Sequence, residues 1–226
     1  MSSEPSNWPP KEGLLTPTVS RRDGILTLSA STPIAAPAAL VFAILRDTSR
    51  YGEWNTWVPR VTVHAQPADS QAAEEDASEL RLGTSFTFHV VMDAAKPDRA
   101  TDTQLRVSDV STPGAPSSYV RDAGLADDPA FHGDAAGVFR IAWKTDGGFV
   151  SMGLRSERFH DVVVQGEERC EVRTWEVMGG FIAHTVSWMF KSTLNKWFGV
   201  WCEDLKKEAE KQWAEKKAEE NKAAAK

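Results

Sequence analysis

Arg158, His160 and Glu176 have the residue types and spacing that suit proton chemistry in this chain. Arg158 and His160 sit two apart in Met152–Val164, a stretch that alternates like a strand, and Glu176 lies on the next such stretch, Arg169–Met178. Period two puts Arg158, His160, Val162 and Val164 on one face. The two valines favour that face as the inner one, which places a cation and an imidazole in an apolar wall. There they would orient a substrate carbonyl and stabilise negative charge developing on it. Glu176 is then a candidate acid or base and a candidate partner for Arg158. The opposite reading turns Phe159 and Val163 inward and leaves both polar residues in water. The next stretch is equally open: Val172 and Thr174 favour one side, Trp175 and Val177 the other.

Other chemistries find little support. The histidines are His64, His89, His132, His160 and His184. No pair has the spacing of a helical zinc site and no Cys lies near one in sequence, so no metal is expected. There is no P-loop, no Gly-x-Gly-x-x-Gly and no Gly-x-Ser-x-Gly elbow. His89 alternates with Phe88 and Val90 and should face away from the core. Cys170 and Cys202 make no disulfide framework, and a reducing, cytoplasmic setting is the simplest expectation. A net charge of −6 speaks against a general nucleic-acid binder. No run of about 18 apolar residues spans a membrane. Met1–Leu15 lacks the apolar segment of a secretory signal. Nine Trp and ten Phe against two Tyr suit an apolar ligand cavity as well as a core.

The elements that would position these groups follow from periodicity. Residues 1–22, rich in proline, read as a loose, flexible arm. Gly24–Ala30 is strand one, stopped by Pro33. Ala38–Arg46 carries Leu40, Val41, Ile44 and Leu45 at helical spacing, and a second short helix runs to Tyr51. Strands follow around Val58–Val63, over Thr84–Met92, Thr101–Thr112 and Gly137–Lys144, and then the two stretches above. The loops at 66–82 and 113–136 are long. After Gly179-Gly180 a helical stripe of Ile182, Val186, Phe190, Trp197, Trp201 and Leu205 predicts one long helix, buried on two sides in its first half. Residues 206–226 read as a charged helical tail, leaving 23–205 as the folded domain. An antiparallel meander closed by one apolar helix is an α+β arrangement: a curved sheet of about seven strands around that helix, with a hollow between them. Phe86, Phe88, Phe139, Ile141 and Trp143 should meet Val186, Phe190 and Trp197 there. Trp54 or Trp57, Met92, Trp143, Phe149, Phe181 and His184 should ring its mouth, with Trp188 as a further contact.

Thr32-Pro33-Ile34-Ala35-Ala36-Pro37, followed by Asp47-x-x-x-Tyr51-x-x-Trp54-Asn55, resembles the opening of the START-like, or SRPBCC, superfamily. His160, Thr174, Glu176 and Gly179-Gly180 are similar to the later strand pattern of its polyketide cyclase branch. The resemblance covers about residues 24–210. It implies a helix-grip fold with a deep apolar cavity, a hydrophobic ligand and no metal or organic cofactor. Besides an interaction module working through the Lys/Glu-rich tail, two functions remain open. One is a cofactor-free cyclase that folds a hydrophobic intermediate into a reactive shape, including a pericyclic one. The other is a non-catalytic carrier of a lipid, quinone or similar hydrophobe.

Overall fold

The computed structural model describes residues 8–67, 77–131, 137–147 and 152–224. Strand β1 (Gly24–Ile34) leads through Pro37 into helix α1 (Ala38–Arg46), a 3-10 turn (Thr48–Arg50) and helix α2 (Tyr51–Trp54). Strands β2 (Arg60–Ala65), β3 (Ser85–Val91), β4 (Ala100–Ser111), β5 (Val138–Thr145), β6 (Arg155–Gly166) and β7 (Arg169–Gly179) follow, with a short helix α3 (Tyr119–Asp122) between β4 and β5. Helix α4 (Phe181–Ala224) closes the chain. The strands form one antiparallel sheet in the order β1-β7-β6-β5-β4-β3-β2. This is the helix-grip arrangement expected from the sequence.

Local chemistry sets the joints. Asp47 ends α1, and its carboxylate accepts from the Ser49 amide at 3.0 Å. Tyr51 donates its hydroxyl to the Leu45 carbonyl at 2.7 Å, tying α2 back onto α1. Asn55 Oδ1 accepts from the amides of Trp57 and Val58 at 3.1 and 2.8 Å, so the chain turns sharply between Trp54 and Trp57 and aims both indoles at the core. Gly180 joins β7 to α4 at φ +92°, where a Cβ would lie 2.5 Å from the Gly153 carbonyl oxygen. Only glycine fits that approach.

Three expectations change. Strand β1 runs through Pro33 to Ile34, because β1 is a sheet edge where a missing N–H is tolerated. Residues 8–22 are not loose: Leu14, Leu15 and Val19 are buried against Phe159 and Trp175 on the outer face of the sheet. Trp175 donates its indole N–H to the Leu15 carbonyl at 3.0 Å, and Arg21 makes a bidentate pair with Asp128 at 2.6–2.7 Å. The arm and residues 113–131 thus form a second layer over aromatic rings that water would otherwise meet.

The third change is in α4, which is one uninterrupted helix across residue 205. Leu194, Trp197, Phe198, Trp201, Leu205, Glu208 and Ala209 are buried along it. Beyond 205 the helix is held by Glu210, which accepts from the Ala35 amide at 2.9 Å, and by a Lys217–Glu168 pair at 3.1 Å. Over residues 181–193, by contrast, Ala183 is the buried residue, while Phe181, Trp188, Met189 and Phe190 are exposed. The apolar stripe is therefore continuously buried only from about residue 194 onward: before it Ala183 and Val186 pack against the core, and Phe190 does not.

Candidate functional site

Arg158, His160 and Val162 point inward from β6. Their β7 neighbours in register are Glu176, Thr174 and Val172, which share that face. Trp175 therefore faces outward, where it stacks on Phe159 with ring centroids 5.0 Å apart. Val164, the last residue of the expected inner face, runs out into solvent.

Arg158 is 5 % exposed. Its Nε donates to the Thr174 hydroxyl at 3.1 Å. Its guanidinium carbon lies 4.1, 4.5 and 5.0 Å from the ring centroids of Phe198, Trp201 and Trp57. Nη2 is buried without a hydrogen-bond partner, and no carboxylate of the described residues comes within ion-pair distance of the group. Burial pushes its pKa down to about 10, against the opposing charge of Glu176. His160 is fully buried, 4.3 Å from the Trp143 ring and 5.5 Å from Trp201. Neither ring nitrogen has a partner among the described residues. Burial, and then the Arg158 charge, hold its pKa well below the usual imidazole value, so the ring is neutral at pH 7.

Glu176 is partly buried and accepts a hydrogen bond from Ser156 Oγ rather than pairing with Arg158. Burial raises its pKa, opposed by Arg158 and by the Ser156 bond. The expected Arg158–Glu176 pair is thus a neighbour relation across the strands, not an ion pair.

Trp201 is the hub around these groups. Its ring lies 5.7 Å from Trp54, 5.9 Å from Tyr51, 6.1 Å from Trp57, 6.2 Å from Phe88 and 6.3 Å from Trp143. Phe86 backs Phe88 at 4.9 Å. The indole nitrogens of Trp54, Trp57 and Trp201 are buried without partners. An unpaired buried donor costs about 1–3 kcal/mol, and this nest concentrates donors that no described residue satisfies.

The remaining candidates separate from the nest. Phe139 packs on Phe42 at 5.4 Å beneath α1. Met92 is partly buried, and its carbonyl accepts from the Trp197 indole at 3.2 Å. Phe181, His184 and Trp188 are exposed on the first turns of α4, so the expected ring of mouth residues does not form. They lie on the face of α4 turned away from Ala183 and Val186, which pack against the core. Phe149 and His132 lie outside the described residues. Trp201, Phe198, Thr174 and Tyr51 complete the site and were not singled out for it. The four-residue spacing of Trp197 and Trp201 was their signal.

The expected hollow is filled by these rings. One cleft of about 110 Å³ lies at the surface, lined by Leu40, Ala43, Ile44, Asp47, Arg50, Trp54 and Gln212. Another of about 140 Å³ lies on the outer layer beside Phe131 and Arg140. The first shares a wall with the nest, since Trp54 lines it on one side and faces Trp201 on the other. Among the described residues no three His, Cys, Asp or Glu side chains gather to hold a metal ion, and no helix is long and apolar enough to cross a membrane.

Residues 34–114 match the family described as polyketide cyclase / dehydrase and lipid transport. The oxopyrrolidines biosynthesis cluster protein O of Penicillium oxalicum is 29% identical over 202 residues, covering 85% of this chain and 90% of that one. Two solved structures share the fold at 12% identity and a TM-score of 0.53. One is a START superfamily protein from Mycobacterium smegmatis, covering 82% of this chain and 98% of that one. The other is the Zhui aromatase/cyclase from Streptomyces sp. R1128, covering 83% and 94%. With the seven-stranded sheet gripping α4 and the Asp47-to-Asn55 segment turning both indoles inward, this chain has the fold of those two structures, and its residues 34–114 resemble the polyketide cyclase / dehydrase and lipid transport family.

Proposed function

We propose that the protein is a cyclase-like enzyme acting on a hydrophobic carbonyl compound in the nest around Arg158 and His160. The observation that carries this reading is the set of buried, partnerless donors on Arg158 and the indoles beside a neutral, partnerless His160. In the reading, the substrate's carbonyl oxygen accepts from Arg158 Nη2. A ring nitrogen of His160 takes the proton from the adjacent carbon. The electron pair of that C–H bond moves onto the oxygen facing Arg158. The resulting enolate carbon bonds to a second carbonyl carbon of the same chain, whose π electrons become an alkoxide. His160 returns its proton to that alkoxide, so the site ends as it began. Glu176, held by Ser156, lies across the strands from Arg158 without pairing with it.

Each step needs proton transfer, charge stabilisation and a folded substrate, and the groups present can supply all three. The match to a family that includes cyclases, and the relative from a biosynthesis cluster, support the same reading. Entry runs through the cleft at Trp54, whose ring would turn aside to join the cleft to the nest. The family description also covers lipid transport, which is the carrier reading.

The test uses linear poly-β-ketoacyl and β-ketoamide chains as substrates, with ring formation followed by mass spectrometry. Removing the base in His160→Gln should cost about 10²–10⁴-fold in rate. Binding without turnover by the parent protein would favour the carrier. Turnover within twofold of the parent in both His160→Gln and Arg158→Met would overturn the assignment.

A further inference from the structure

The charge around Arg158 says more about the ligand than that it has a carbonyl. A guanidinium moved out of water needs a counter-charge or a full set of acceptors. Arg158 has one hydrogen bond, to a neutral hydroxyl, and three aromatic faces. Every titratable group around it is biased toward its neutral form. Burial raises the Glu176 carboxyl, pushes the Cys202 thiol up to about 11 and raises the Tyr51 phenol. Tyr51 also spends its hydroxyl proton on the Leu45 carbonyl. His160 is a neutral ring that can donate from one nitrogen. The nest is therefore a buried cation, an imidazole and several N–H groups with no anion among the described residues paired to them.

Resting on the reading of this nest as the substrate site, we infer that the ligand is bound as an organic anion: a hydrophobic enol acid of the 1,3-dicarbonyl type, carried as its enolate. A neutral ketone would satisfy the orphaned N–H groups but leave the guanidinium charge uncompensated. An enolate delocalised over two oxygens does both, and its two acceptors match the planar fork of an arginine. The relative from an oxopyrrolidine biosynthesis cluster points to one such skeleton. A pyrrolidine-2,4-dione bearing a 3-acyl chain is ionised at neutral pH, has adjacent oxygens and carries an apolar tail for the surrounding rings. A hydrophobic carboxylate offers the same charge and the same pair of oxygens, so the experiment separates the two sources.

The experiment measures binding to the purified full-length protein through quenching of its tryptophan fluorescence. Two matched pairs are used: 3-decanoylpyrrolidine-2,4-dione against its neutral O-methyl enol ether, and dodecanoate against methyl dodecanoate. The expected result is that the dione binds at least thirtyfold tighter than its ether, while the dodecanoate pair differs by less than threefold. Arg158→Met should bring the dione and its ether within threefold. Arg158→Lys should keep part of the preference, because it keeps the charge and loses the fork. A preference confined to the carboxylate pair would overturn the enolate assignment in favour of a fatty acid. Equal binding within each pair by the parent protein would overturn the anion altogether, and that result needs no variant to fold. Loss of this preference with ring formation intact leaves the cyclase reading standing. An intact preference with no ring formation does the reverse.

Discussion

Along β6 the two faces of one strand are built to different rules. Outward, Glu157 is fully buried and its carboxylate accepts from Ser108 Oγ at 2.6 Å, Tyr119 Oη at 2.9 Å and the Thr18 amide at 3.0 Å. Asp161, four residues on, makes a bidentate pair with Arg140 at 2.6 Å. Inward, Arg158 and His160 are as deeply buried, yet Nη2 and both ring nitrogens lack partners. Burial alone therefore does not separate structural from functional polar groups on this sheet. Satisfaction does: a polar group kept for the fold finds its partner within the fold, whereas one kept for a ligand is left open at a cost to stability. Asp109 on β4 departs from the outer pattern, since burial raises its pKa against the Ser117 hydroxyl and the Arg140 charge.

The largest effect should come from the outer face. Asp161→Ala leaves the Arg140 guanidinium buried and unpaired over Phe131 and Phe159. Breaking a buried pair from one side should cost about 3–5 kcal/mol in urea unfolding. Ligand affinity should be unchanged below the unfolding transition. A loss under about 1 kcal/mol, the range of an exposed pair, would erase the contrast between the faces.

A smaller effect, specific to the inner face, lies in the pH dependence of stability. His160 is held well below its usual pKa. As pH falls through about 6.5, the unfolded chain takes up a proton that the native ring refuses. Its contribution is therefore present above that pH and is lost below it, by up to about 1.4 kcal/mol per pH unit until the native ring itself protonates. Glu176, raised by burial, acts in the opposite sense, favouring the native state at low pH and losing that support as pH rises through its native value. Between pH 6.5 and 5, His160→Gln should lose this slope. An unchanged slope in that variant would show that His160 is not the buried neutral imidazole described here.

Much of this contrast was legible in the sequence, and the illegible part has physical causes. Period two on β6 placed Arg158 and His160 together, and the pair of valines chose the correct face. The meander, the paired short helices and the closing helix followed from period and glycine placement. The β7 alternation stayed ambiguous because both of its faces are buried, one under α4 and the other under residues 8–22 and 113–131. That outer layer was invisible because Leu14, Leu15 and Val19 show no periodicity. They contact the sheet as an irregular strap rather than as a helix or strand. The mouth failed for another reason. Helical spacing says which residues share a stripe, but not which stripe the core covers: Ala183 and Val186 of those turns pack inward, while Phe181, His184 and Trp188 stay exposed.

The central claim is that Arg158 is kept for a ligand and not for the fold. The most direct test is urea unfolding of Arg158→Met, compared with the parent in the absence of any ligand. Methionine removes a desolvated charge and an orphaned donor while filling similar apolar space. The lost cation–π contacts and the Thr174 bond offset that gain, so stability should stay within about 1 kcal/mol of the parent or rise. A loss of about 3 kcal/mol or more, the size expected for a broken structural pair, would contradict the account and make Arg158 a structural cation like Arg140.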